Sequence, residues 1–229
     1  MLIEEYQKFT KTTAIYPSEP NLALPYLVHG LISEFGELLE SIEEEFEDNG
    51  LNITPNPRHE ITKEMGDILW YIARILDELD VSFSYFVTFC FKSFIEEEDD
   101  EETKNNLFLG AEEIESFEDI YKFCYEDLAY RIKIGNAGDS FLYMVHKSFL
   151  CAFHQCSKIS GIIKKFVRDN TSLESITPPI KNHLATLFLA FLQLVFLYNI
   201  SLENIAQVNF LKLSDRKGKN TLSGSGDAR

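Results

Sequence analysis

The sequence predicts an all-α chain, and three observations carry that prediction. Gly and Pro are few, at 11 and 7 of 229 residues. Apolar residues recur at three- and four-residue spacing over several long stretches, and the strict alternation of half-buried strands is scarce. In chain order, residues 24–46 form one helix. A second begins near Asn56-Pro57, where Asn caps and Pro suits the first turn, and runs through Trp70 to about Leu79. A third starts at Ser82 and ends near Ile95. The unbroken acid of residues 96–102, together with the acidic stretch 112–119, holds about a third of the 37 carboxylates. Like charges in a block repel into extended chain, so this part reads as a solvated linker. The most apolar run, residues 184–198, is short for a bilayer span and contains Gln193, so it reads as a buried helix.

The segments on either side of the linker look like one unit written twice. Leu24-Pro25-Tyr26-Leu27-Val28-His29 is echoed by Phe141-Leu142-Tyr143-Met144-Val145-His146, an offset of 117 residues. Val81-Ser82-Phe83 is echoed by Ile200-Ser201-Leu202 at an offset of 119. A change of two residues in one interhelical loop accounts for the difference.

Composition narrows the partners. With 45% hydrophobic and 25% charged residues the chain can bury a sizeable core. A net charge of -16 at pH 7 argues against a nucleic-acid polymer or an anionic membrane as partner, since both need a basic surface. A small anionic substrate would need a metal and a few well-placed Lys or Arg residues. Cys90, Cys124, Cys151 and Cys156 form no Cys-x-x-Cys pair, and residues 1–20 have no basic start followed by an apolar signal core, so a cytoplasmic setting is expected.

Glu34-Phe35-Gly36-Glu37 sets two carboxylates three apart, on one face of the first helix, and Glu64-Met65-Gly66-Asp67 does the same on the second. Four carboxylates brought together repel and are partly desolvated, and a divalent cation resolves the conflict. Oxygen ligands select a hard ion: Mg2+, with Mn2+ as a substitute. Each pair alone is an ordinary feature of an acidic chain. Gly36 and Gly66 add weight, because Gly inside a helix costs about 1 kcal/mol relative to Ala and implies close packing or a ligand.

The string Gly30-Leu-Ile-Ser-Glu-Phe-Gly-Glu-Leu followed by Glu64-Met-Gly-Asp-Ile-Leu-Trp-Tyr-Ile-Ala resembles the MazG-like all-α nucleoside triphosphate pyrophosphohydrolases, marked by Glu-x-x-Glu and then Glu-x-x-Asp. Glu5-Tyr6-Gln7 with Thr13-Ala14-Ile15-Tyr16-Pro17 resembles that family's opening helix, and Asn209-Phe-Leu-Lys-Leu-Ser-Asp-Arg216 with Gly224-Ser-Gly-Asp-Ala-Arg229 its C-terminus. The resemblance covers residues 1–89 and 200–229. It implies a Mg2+-dependent hydrolase that converts a nucleoside triphosphate to the monophosphate and pyrophosphate. Glu34, Glu37, Glu64 and Asp67 would hold the metal, and Glu34 or Glu37 would act as the base. Asn209, Lys212, Arg216, Asp227 and Arg229 would meet the triphosphate. A dUTP, alarmone or phosphoribosyl-nucleotide substrate stays open, as does a nucleotide-binding or regulatory protein without turnover.

The family resemblance also implies a homodimeric core with shared sites, so a tandem duplication predicts a covalent pseudodimer. Its parts would be a first unit at 1–95, an acidic linker at 96–116, a degenerate second unit at 117–211 and a basic tail at 212–229. Two such chains forming a homodimer of pseudodimers is left open. Under the two offsets Glu34, Glu37, Glu64 and Asp67 correspond to Cys151, His154, His183 and Thr186, whereas Asn209, Lys212 and Arg216 correspond to Cys90, Ser93 and Glu97. Each half lacks what the other keeps, which predicts one site per chain. Cys151, His154 and His183 could converge on Zn2+. The plainer expectation is a decayed site repacked as core, since no fourth ligand is evident.

Overall fold

The computed structural model describes residues 1–49, 59–96, 101–126 and 140–223. Among these the chain is helical, with one isolated antiparallel bridge between Leu2 and Ser116 and no strand. The described residues form nine helices, in order: α1 Ile3–Lys11, α2 Pro20–Asn49, α3 His59–Glu78, α4 Phe83–Ile95, α5 Glu101–Glu112, α6 Phe117–Glu126, α7 Phe141–Asp169, α8 Leu173–Leu197 and α9 Leu202–Gly218. The expected start at Asn56-Pro57 lies outside the described residues.

Two long hairpins form the frame. Helix α2 packs along α3, α7 packs along α8, and α2 also packs on α7. Phe35 of α2 is fully buried and meets Phe149 and Phe153 of α7, with ring centroids 6.4 and 6.3 Å away. The helix after each hairpin lies on the other hairpin: α4 packs on α8 and α9 on α3. On the α4 side, Phe188 of α8 sits 5.9 Å from Phe83 and 5.7 Å from Phe86.

The two corners that redirect the chain are built alike. After α3, Asp80 turns at φ 54°, and the Val81 N–H donates to Leu76 O at 2.9 Å. After α8, Asn199 turns at φ 52°, and the Ile200 N–H donates to Val195 O at 3.1 Å. Asp and Asn are among the residues that tolerate this left-handed conformation at a helix end. Ser82 and Ser201 then cap the next helices, accepting from the Tyr85 and Asn204 amides. The entries to α1 and α6 are also paired, with Ile3 N–H donating to Glu115 O and Phe117 N–H to Met1 O.

Two expectations need correction. The acidic linker at 96–116 contains α5, which is held by apolar contact: Leu107 and Ala111 are buried, Thr88 donates to Ala111 O, and Lys92 pairs with Glu112. Repulsion is offset there because the acids face water while an apolar edge covers α4. The boundary at residue 212 also disappears, because α9 runs unbroken through it to Gly218. Lys212 and Arg216 therefore stand on a helix rather than on a tail, and Asp227 and Arg229 lie outside the described residues. The apolar run 184–198 belongs to the longer α8. By length and composition α8 could cross a membrane, yet 61% of its apolar window is buried within the protein.

The two helix glycines part ways. A Cβ at Gly66 would stand 2.9 Å from Asn209 Cβ and 3.3 Å from Ile205 O, so α9 approaches α3 at this residue; at Gly36 a Cβ would meet nothing within 4 Å. The close-packing reason expected for both holds only for Gly66. Chemical denaturation of Gly66→Ala should show a loss of about 1–3 kcal/mol as α9 is pushed away. Gly36→Ala should gain about 0.5–1 kcal/mol, because Ala removes the entropic cost of Gly in a helix.

Candidate active site

The cavity between α2, α3 and α9 is built from the helix faces that carry the acidic pairs. Residues three and four apart share one side of a helix, so Glu34 and Glu37 on α2 face Glu64 and Asp67 on α3. Glu34, Glu37 and Glu64 each offer an oxygen within 4.8 Å of the other two. Ser33 donates to Glu37 Oε1 at 3.2 Å. Burial, reinforced by the charges of Asp67, Glu37 and Glu64 and opposed by Lys212, pushes the Glu34 carboxyl up to about 9. Such a cluster is short of positive charge, and its all-oxygen donor set suits a hard divalent cation.

Asp67 is held differently. Its Oδ1 accepts from Asn209 Nδ2 at 2.8 Å, and its Oδ2 accepts from the Lys212 ammonium. Asn209 is fully buried, and its Oδ1 accepts from the Tyr6 hydroxyl at 2.8 Å. Both ends of the Asn209 amide are thus used inside the protein. Asn209 thus holds Asp67 in place and is not among the residues that line the cavity. Tyr6 was missed as a site residue; its signal in the sequence is a polar aromatic on the apolar face of an amphipathic helix. Burial and the nearby Asp67 charge keep its hydroxyl protonated, so it acts as a donor.

The cavity encloses about 630 Å3. Thr13, Ile15, Tyr26, Trp70 and Tyr71 line it together with the four carboxylates, and Arg216 with Leu213 lines the α9 side. Trp70 Nε1 donates to Thr13 Oγ1 at 2.9 Å, which ties the α1–α2 connection to α3. Below it, Arg74 is only 2% exposed and donates to the Tyr16 hydroxyl and to Asp77, each at 2.9 Å, while Tyr16 stacks on Tyr26. Gly30 admits the Tyr71 ring, since a Cβ there would collide with it. A cavity lined by carboxylates, one Arg and three aromatic rings can receive a molecule with a flat ring at one end and anionic groups at the other.

The residues of the proposed softer site do not gather. Among the described residues the acidic trio is the group of three or more His, Cys, Asp or Glu close enough to share an ion. His154 is exposed, and His183 Nδ1 is 2.8 Å from Gln155 Oε1.

Residues 24–88 match the family model of the MazG nucleotide pyrophosphohydrolase domain. The chain is also 33% identical to the Gene 37 protein of Mycobacterium phage L5 over 85 residues, which take in 35% of this chain and 75% of that protein. No solved structure matches.

The raised Glu34 carboxyl makes a pH test. A group whose folded pKa lies above its unfolded value adds stability at low pH, and that stability is lost as pH rises through the folded value. Without divalent ions, the stability of wild type relative to Glu34→Gln should therefore decline between about pH 5 and pH 9. Thermal melts of the two proteins across that range provide the check, and a flat difference would contradict the buried-carboxyl assignment.

Proposed function

The chain belongs to the MazG nucleotide pyrophosphohydrolase family, and on that premise we propose that it converts a nucleoside triphosphate, ribo or deoxy, to the monophosphate and pyrophosphate. In this reading Mg2+ is held by Glu34, Glu37, Glu64 and Asp67, with Mn2+ able to replace it. The observation that carries the proposal is the oxygen cluster of Glu34, Glu37 and Glu64 in a cavity that Arg216 and three aromatic side chains also line.

Bound at this cluster, Mg2+ supplies charge neutralisation for the polyphosphate. The protein's own groups do the rest. Glu37 or Glu34 accepts the proton of a water in line with the α-phosphorus. Asp67 is kept in register by Asn209 and, through it, by Tyr6. Lys212 and Arg216 balance the charge of the departing pyrophosphate, with Arg216 suited to a two-point contact. The base lies along Tyr26, Trp70 and Tyr71, whose faces stack on a flat ring without selecting one base.

We further propose that residues 1–95 and 117–211 are tandem copies forming a covalent pseudodimer. The similar corners at Asp80 and Asn199, the paired entries to α1 and α6, and the exchange of α4 and α9 between hairpins support this. One site per chain follows, since the second copy has Cys151, His154, His183 and Thr186 at the acidic positions.

The test is incubation of the full chain with Mg2+ and each common NTP and dNTP, with monophosphate and pyrophosphate quantified. At least one nucleotide should yield both products in equal amounts. Glu37→Gln and Asp67→Asn should each slow pyrophosphate release at least about a hundredfold, with helical circular dichroism unchanged. Full activity in both variants would sink the assignment.

A further inference from the structure

Lys212 occupies a place in the site that a phosphate contact does not explain. Its ammonium lies on Asp67, not in the open cavity, and the two side chains are 13% and 22% exposed. Lys212 is also the cation that opposes Asp67, Glu37 and Glu64 at Glu34. One ammonium therefore neutralises part of a four-carboxylate cluster from a helix far along the chain, while the other oxygen of Asp67 is fixed by Asn209. An ammonium seated on a ligand carboxylate competes with a divalent cation for the same oxygen. Lysine, a compact charge on a flexible stem, can leave that seat without moving α9.

We propose that Lys212 is a switchable counter-ion: it holds Asp67 in the metal-free protein, yields that oxygen to the divalent cation, and only then presents its ammonium to the substrate phosphates. This rests on the metal reading given above and adds an order to it. The cation binds first, nucleotide binding is favoured once it has bound, and the protein avoids an uncompensated cluster in the interval. Asn209 keeps its bond to Asp67 throughout, so the carboxylate stays in place while its counter-charge changes.

A merely structural Lys212–Asp67 pair predicts the opposite sign. If Lys212 served to orient Asp67, its removal would loosen a ligand and weaken metal binding. If it is the resident counter-ion, its removal takes away both a competitor and a repelling charge. The experiment titrates Mn2+ alone into the full chain by calorimetry. Lys212→Met should bind Mn2+ at least about tenfold more tightly than wild type, and Lys212→Arg should stay near wild type. Equal or weaker binding by a folded Lys212→Met would overturn the proposal.

A second measurement needs no variant. Amine acylation of the wild-type protein, read by mass spectrometry, should label Lys212 faster with Mg2+ than with chelator, and unchanged or slower labelling would count against the switch. If wild type binds no Mn2+ at all, the metal reading itself falls and this proposal falls with it. If Mn2+ binds wild type and Lys212→Met alike, only the switch is lost.

Discussion

Helix α9 approaches α3 at Gly66 closely enough that a single added Cβ would strike the Asn209 side chain and the Ile205 carbonyl. That approach brings Asn209 within 2.8 Å of Asp67, and the Tyr6 hydroxyl within 2.8 Å of Asn209. Three helices distant in sequence thus meet in one hydrogen-bonded row. Each bond in such a row contributes about 1 kcal/mol net, but breaking one strands a buried polar atom at a cost of about 1–3 kcal/mol. The row is therefore held more firmly than its count of bonds suggests. Helix α1 is fixed to it from behind, because Gln7 donates to Val81 O at 3.0 Å and accepts from the Phe83 amide at 2.8 Å.

Electrostatics sets the second constraint. The chain carries a net charge of -16, and α2 presents a long series of glutamates with no Lys or Arg between residues 20 and 49. Gathering Glu34, Glu37 and Glu64 is unfavourable in itself: burial first, then the charges of Asp67, Glu37 and Glu64, raise the Glu34 carboxyl. The fold tolerates the cluster because apolar packing of α2 and α3 around Leu31, Phe35, Leu38, Met65 and Leu69 supplies the burial that holds the two helices together. Lys212 offsets part of the remaining charge.

The second hairpin serves the site indirectly. Phe149 and Phe153 of α7 seat the buried Phe35 next to Glu34, and α8 fills the centre of the molecule with Leu184, Leu187, Phe188 and Phe191. On that hairpin His183 Nδ1 lies 2.8 Å from Gln155 Oε1, and His154 is exposed. Its continuation, α9, returns to α3 with Asn209, Lys212 and Arg216. A chain that kept only residues 24–88 would have the carboxylates without their counter-charge.

The helices and the acidic trio were legible in the sequence because both depend on local period. The 3.6-residue repeat sets the apolar faces of α2, α3, α4 and α8, and the Glu-x-x-Glu and Glu-x-x-Asp spacings put their carboxylates on one side of a helix before any partner is known. The start of α4 at Ser82 and the apolar run in α8 follow from equally short-range chemistry. Helix α5 was hidden because its acids dominate the composition, while the few buried contacts at Leu107 and Ala111 exist only against α4. The split between Gly66 and Gly36, the inward turn of Asn209, the role of Tyr6 and the seat of Lys212 on Asp67 were decided by tertiary structure alone. Each depends on how closely α9 lies on α3 across more than 130 residues of chain, a distance over which no local pattern carries information.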